Sequence, residues 1–179
     1  TSKRERSMEK AKRLFKLSPA ATLIFGLILG AAARFFDMCC ETLGEIFSQM
    51  AIWILLGTLI SIYSPTKKAA MLNAAPFCFG MLFSYYAAAI ITKGVYGWSF
   101  IIGWTIFAFF SPLMAYFARM AKQEGIIPKI IAGGIVVFSV LSSVLLFGRL
   151  RIYDFIIDSL LVYFLFFRKI RYVHTEVQQ

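Results

Sequence analysis

Residues 19–36 read PAATLIFGLILGAAARFF, a stretch in which Arg34 is the only charge. At 1.5 Å of rise per residue such a helix is about 27 Å long, close to the roughly 30 Å of hydrocarbon in a bilayer. Lipid offers no partner to backbone N–H and C=O groups, so an apolar stretch of this length reads as a membrane-spanning helix. Five stretches of similar character follow, at 43–63, 69–91, 98–118, 128–147 and 150–167. The fold class expected is all-α: a polytopic membrane protein built as a compact bundle of six transmembrane helices. Composition points the same way, with 60% hydrophobic, 17% aromatic and 16% charged residues, against about 25% charged in soluble domains.

Three regions result: a basic arm at 1–18, a transmembrane domain at 19–167 and a tail at 168–179. In the arm, Met8, Ala11, Leu14, Phe15 and Leu17 are interleaved with Lys10, Lys12, Arg13 and Lys16, the pattern of a short helix lying on anionic lipid. The first apolar segment lacks a clear cleavage context and is followed by more spanning sequence, so it reads as an ordinary first helix rather than a removable signal.

The net charge of +10 would suggest nucleic acid on a soluble surface, but its placement fits a membrane instead. Lys67 and Lys68, then Arg119, Lys122 and Lys129, then Arg168, Lys169 and Arg171 all fall on the arm's side of a six-crossing chain. The opposite connections carry Asp37, Glu41, Glu45 and Lys93, with Arg149 and Arg151 as exceptions. Short basic loops stay inside, so both termini are expected in the cytoplasm, most simply beneath a prokaryotic cytoplasmic membrane. The partners implied are membrane lipids, with no nucleic acid.

Within lipid, close helix packing depends on small residues. Gly26 and Gly30 lie on a four-residue stripe with Thr22 and Arg34, Gly57 follows Trp53, and Gly80 follows Pro76. These four glycines are the expected helix-packing positions, and Pro76 is expected to bend its helix or free a carbonyl.

The candidate ligand-binding residues are Arg34, Gln49, Asn73, Asp154 and Asp158. Asp154 and Asp158 stand four apart, on one helical face, and a charge facing bilayer centre costs about 2.5 to 3.5 kcal/mol. They should therefore face protein or water. The sequence leaves two arrangements open: Arg34 pairs with Asp154 or Asp158 and fixes the first helix beside the sixth, or one carboxylate is so held while the other lines a pocket reachable from outside. Asn73 and Gln49 are the polar side chains that could join such a pocket.

Cys39 and Cys40 lack the spacing and further ligands of a zinc site, and His174 is remote in the tail, so no metal or cofactor is expected. Phosphate-binding glycine loops, zinc-protease helices and serine-hydrolase elbows are missing from the sequence, and two aspartates on one helix do not suit an aspartyl protease. Enzymatic activity is thus the less favoured class.

From 19 to 167 the chain resembles, in length, helix number and expected orientation, the membrane substrate-capture subunits of energy-coupling-factor vitamin transporters. That resemblance implies a six-helix bundle binding a small polar or cationic solute near its outer side. It also implies a membrane coupling subunit and cytoplasmic ATPases as partners, with the small-residue face around Ala20, Gly26, Gly30, Ala31 and Ala32 as the coupling surface. The competing classes are a self-contained small carrier or channel and a structural, assembly or immunity membrane protein without transport activity.

Overall fold

The computed structural model describes residues 17–94 and 97–170. The arm up to residue 16, Tyr96 and the tail from residue 171, with Tyr172 and His174, lie outside the described residues. Seven α-helices are described: α1 (Pro19–Cys39), α2 (Glu41–Phe47), α3 (Met50–Tyr63), α4 (Lys67–Ile91), α5 (Trp98–Met120), α6 (Ile126–Phe147) and α7 (Ile152–Val162). A π-helical turn, Tyr163–Phe167, continues α7. The starts follow ordinary capping chemistry. Ser18 Oγ accepts from the Ala21 N–H ahead of Pro19, and Thr66 Oγ1 accepts from the Ala69 N–H at the head of α4, each satisfying a donor that the helix leaves free.

Four helices, α1, α4, α5 and α6, are long and apolar enough to cross a bilayer, five if α2 and α3 count as one bent span. The segment expected as a straight helix over 43–63 is broken instead: α2 and α3 meet at 56° around Ser48 and Gln49. The Phe47 carbonyl at the end of α2 accepts the Trp53 indole N–H at 2.8 Å, which ties the two sides of the bend together. The last expected span is shorter than the sequence suggested, with eleven α-helical residues and five in the π turn.

Contacts between helix ends set the directions. α1 and α4 run parallel, with Gly26 against Phe77, Gly30 against Met81 and Gly80 against Leu23. Arg119, ending α5, donates to the Ser64 and Pro65 carbonyls beyond α3, so those two helices finish at one end of the bundle. Lys122 Nζ, just after α5, donates to the Phe164, Leu165 and Arg168 carbonyls, so α7 finishes there too. At the opposite end, Glu45 of α2 accepts from Tyr153 and pairs with Arg151 at the head of α7. We call these the Arg119 end and the Asp37 end.

α3 is the central helix. It supplies Ala51, Ile54, Leu55 and Ile62 to a cluster with Ile157, Leu161 and Leu165, and Trp53 and Ile60 to a second with Ala33, Phe77, Cys78, Met81 and Ala108. Residues such as Phe83 and Leu145, 72% and 81% exposed, point away from both clusters. So broad an apolar exterior far exceeds what a soluble monomer presents.

Candidate functional site

The polar groups expected to converge are divided among three places. Arg34 does not reach Asp154 or Asp158: its Nη1 pairs with Asp37 Oδ2 at 2.9 Å and its Nε donates to Thr92 Oγ1 at 3.3 Å. The physical reason is the glycine seam. Gly26 and Gly30 bring the α4 backbone onto α1, so the neighbour of α1 is α4, and an arginine there finds its acid one turn away on its own helix.

Asn73 lies at the other end from those acids. Its amide donates to Ser64 Oγ at 3.0 Å and to the Leu17 carbonyl at 3.3 Å, and Ser64 Oγ donates in turn to the Ile60 carbonyl. These bonds knit the start of α1 to the loop between α3 and α4. Asn73 therefore serves packing at the Arg119 end, and a ligand pocket at the Asp37 end cannot include it.

Asp154 is fully buried, and its Oδ2 accepts the Arg151 backbone N–H at 2.8 Å. That is the reach-back of a third-position carboxylate in a helix cap, at the end where the helix dipole favours an anion. The Arg151 guanidinium donates to the Tyr153 hydroxyl at 2.6 Å and pairs with the Glu45 carboxylate at 2.7 Å. Asp158 faces α6 instead, where Ser139 Oγ donates to it at 2.6 Å. It borders a broad, mostly apolar cleft of about 440 Å³ between α6 and α7.

Gln49 is the residue before α3 and is fully buried. Among the described residues neither its amide atoms nor Asp154 Oδ1 has a hydrogen-bond partner. Asp154→Ala is expected to lower unfolding stability by about 1 to 2 kcal/mol, the scale of a buried hydrogen bond removed from one side. Denaturant titration of the purified protein checks it, and an unchanged midpoint would count against the capping role.

The glycines divide as well. Gly26, Gly30 and Gly80 line the α1–α4 seam, where an added Cβ would strike backbone atoms of the partner helix. Gly57, expected to permit close approach, has nothing within 4 Å of where its Cβ would stand. It borders a half-open cavity of about 260 Å³ lined by α3, α4, α5 and α6. The helix there packs no neighbour at that position; the missing side chain leaves space.

A polar pocket lies at the Asp37 end between α1, α2, α4 and α5. It has a volume of about 260 Å³, and its lining includes Asp37, Trp53, Tyr85, Tyr86 and Trp104. Tyr85 donates to Asp37 Oδ2 at 3.3 Å, so the carboxylate is held by a phenol and a guanidinium while its side chain stays 37% exposed. Tyr85 and Tyr86 stand edge to face, 5.5 Å between centroids at 88°, and so offer two walls at right angles. Gly44 fixes the fourth side: a Cβ there would lie 2.8 Å from Asp37 Cα, which lets α2 fold tightly over the end of α1.

In the sequence Asp37 falls in a connection between apolar segments. The available signal was the acidic residue one turn beyond Arg34 together with the adjacent tyrosines, but nothing in linear order brings positions 37, 85 and 104 together. Among the described residues no cluster of three or more metal-ligating side chains occurs. Cys39 and Cys40 are free and exposed.

Comparison of the chain with models of protein families, with curated proteins and with solved structures gives no match. What the fold defines is an all-helical protein whose four or five apolar helices are compatible with a multi-pass membrane protein.

Proposed function

We propose that this chain crosses a prokaryotic cytoplasmic membrane six times and binds a small organic cation from the outer side, at the Asp37 end. The pocket of Asp37, Tyr85, Tyr86, Trp53 and Trp104 carries this reading. Aromatic faces attract cations through their quadrupoles, most strongly where water is excluded, and quaternary ammonium groups are the usual beneficiaries. Arg34 offsets much of the Asp37 charge, so a hard metal ion gains little there. A weakly hydrated organic cation still gains from the rings.

The orientation is supported by the basic loops that gather at the Arg119 end, following the positive-inside rule. α7 with its π turn would be the sixth crossing, short for the bilayer and met by Lys122 at its end. Solute capture for a separate membrane coupling subunit and cytoplasmic ATPases is a narrower form of the proposal. A coupling partner would need a surface other than the Gly26–Gly30 face, which α4 covers.

Fluorescence titration with tetramethylammonium in lipid nanodiscs tests the reading, since Trp53 and Trp104 stand in the pocket wall. Saturable binding is expected, weakened about tenfold by Tyr86→Ala or by Asp37→Asn, each removing roughly 1.4 kcal/mol of attraction. Absence of saturable binding in the parent would favour a structural or assembly role over solute recognition.

A further inference from the structure

The aromatic pocket has a second cavity directly beneath it in the same interhelical groove. Both are lined by Trp53. Along α4 the upper pocket takes Met81 and Tyr85 and the lower one Ala74 and Cys78; along α5 the upper takes Trp104 and the lower Phe107 and Ser111. Cys78 and Met81, like Trp104 and Phe107, are one helical turn apart, so on each helix the floor of one cavity is the roof of the other. Trp104, lining the upper cavity, and Phe107, lining the lower, are in edge-to-face contact with centroids 5.8 Å apart.

The two chambers differ in chemistry. The upper holds Asp37 and two tyrosines. The lower has Thr58, Ser61 and Ser111 as its hydroxyl residues, and two of these hydroxyls are already engaged: Ser61 donates to the Gly57 carbonyl and Ser111 to the Ala108 carbonyl. Gly57 and Gly134, on its walls, have no atom within 4 Å of a notional Cβ. Each chamber alone, at about 260 Å³, is below the roughly 300 to 1,000 Å³ of ordinary small-molecule sites, and the pair falls within that range.

We infer that the ligand is a single-chain amphipathic cation, its ammonium head among Tyr85, Tyr86 and Asp37 and its apolar tail passing Trp53 into the chamber bounded by Gly57 and Gly134. The inference rests on the cation pocket proposed above and adds the tail site and hence the ligand class. Trp53 is fixed by its bond to the Phe47 carbonyl, so any side-chain movement that joins the chambers falls to Trp104 or Phe107.

The test compares tetramethylammonium with decyltrimethylammonium, below its micellar concentration, on the full chain in nanodiscs. The parent is expected to bind the decyl compound at least tenfold more tightly. Gly57→Leu places its side chain at the wall of the lower chamber, where an added Cβ has no atom within 4 Å, so it should bind tetramethylammonium as the parent does while losing most of the tail advantage. Gly134→Leu, on the facing wall, provides the same measurement from another helix.

An equal tail advantage in the parent and both glycine variants would mean that the chain merely partitions into lipid, and would overturn the tail site while leaving the cation pocket intact. Decyl binding that is sensitive to Gly57→Leu but indifferent to Asp37→Asn and Tyr86→Ala would overturn the two-part site and the cation pocket together. Loss of tail advantage in the glycine variants, with head binding retained, supports the inference.

Discussion

Replacing Gly30 by leucine is expected to destabilise the bundle by about 3 kcal/mol, the upper part of the usual range for overpacking. A Cβ at this position would collide with the Met81 carbonyl oxygen and the Ser84 hydroxyl. Ser84 has rotamers to which it can retreat, whereas the Met81 carbonyl is part of the α4 backbone. Relief therefore requires the whole of α4 to move off α1, and this seam has no other way to yield, since Gly26 and Gly80 form it in the same manner. Thermal unfolding in detergent should show a marked fall in midpoint and loss of the Arg34–Asp37–Tyr85 corner, because those residues stand at the top of the same seam. A variant as stable as the parent would mean that α1 and α4 are not in backbone contact.

Arg119→Leu should be comparably damaging, by about 3 kcal/mol, through a different mechanism. Arg119 is buried, and its guanidinium donates to the Ser64 and Pro65 carbonyls at 3.0 Å each. Those carbonyls follow the last turn of α3, where helical partners have run out. Removing the donor leaves acceptors in a region shielded from water, and hydrogen bonds to charged groups are worth about 1.5 to 3 kcal/mol each. Leucine keeps apolar bulk, so the loss is assigned to hydrogen bonding rather than to a void. Arg119→Lys should recover part of the stability, as an ammonium can serve one carbonyl but lacks the two-pronged reach of the guanidinium. Equal stability of Arg119→Leu and the parent would show that water already serves these carbonyls.

The two predictions mark how far linear sequence carries. The glycine stripe was legible because a repeat of four places Gly26 and Gly30 on one helical face, and small residues are what close packing in lipid needs. Which helix would fill that face was not legible. Six apolar segments admit many neighbour relations, and helix α1 was paired in expectation with α7 on the strength of opposite charges. Charge attraction acts over any arrangement that brings acid to base, and Asp37, three residues from Arg34, meets that need locally. Arg119 appeared in the sequence as one of several topogenic cations, and its burial follows from the position of the α3 terminus.

The aromatic pocket at the Asp37 end illustrates the same division. Asp37, Trp53, Tyr85 and Trp104 come from four separate segments, and no spacing rule links them. The break at Ser48 and Gln49 had only a weak signal, two polar residues shortly after Glu45 in an otherwise apolar run, and hydropathy averaged over 43–63 does not register a bend.

By itself the sequence determined that the chain is helical and suited to lipid, that the Gly26–Gly30 face packs closely and at which end positive charge collects, since these depend on residue type and on separations within one helix. Tertiary structure alone decided that α4 covers α1, that α3 is central and meets α2 at a bend, and that two stacked chambers share a wall at Trp53. Those follow from which surfaces fit at backbone distance, a property of pairs of helices that no single segment contains.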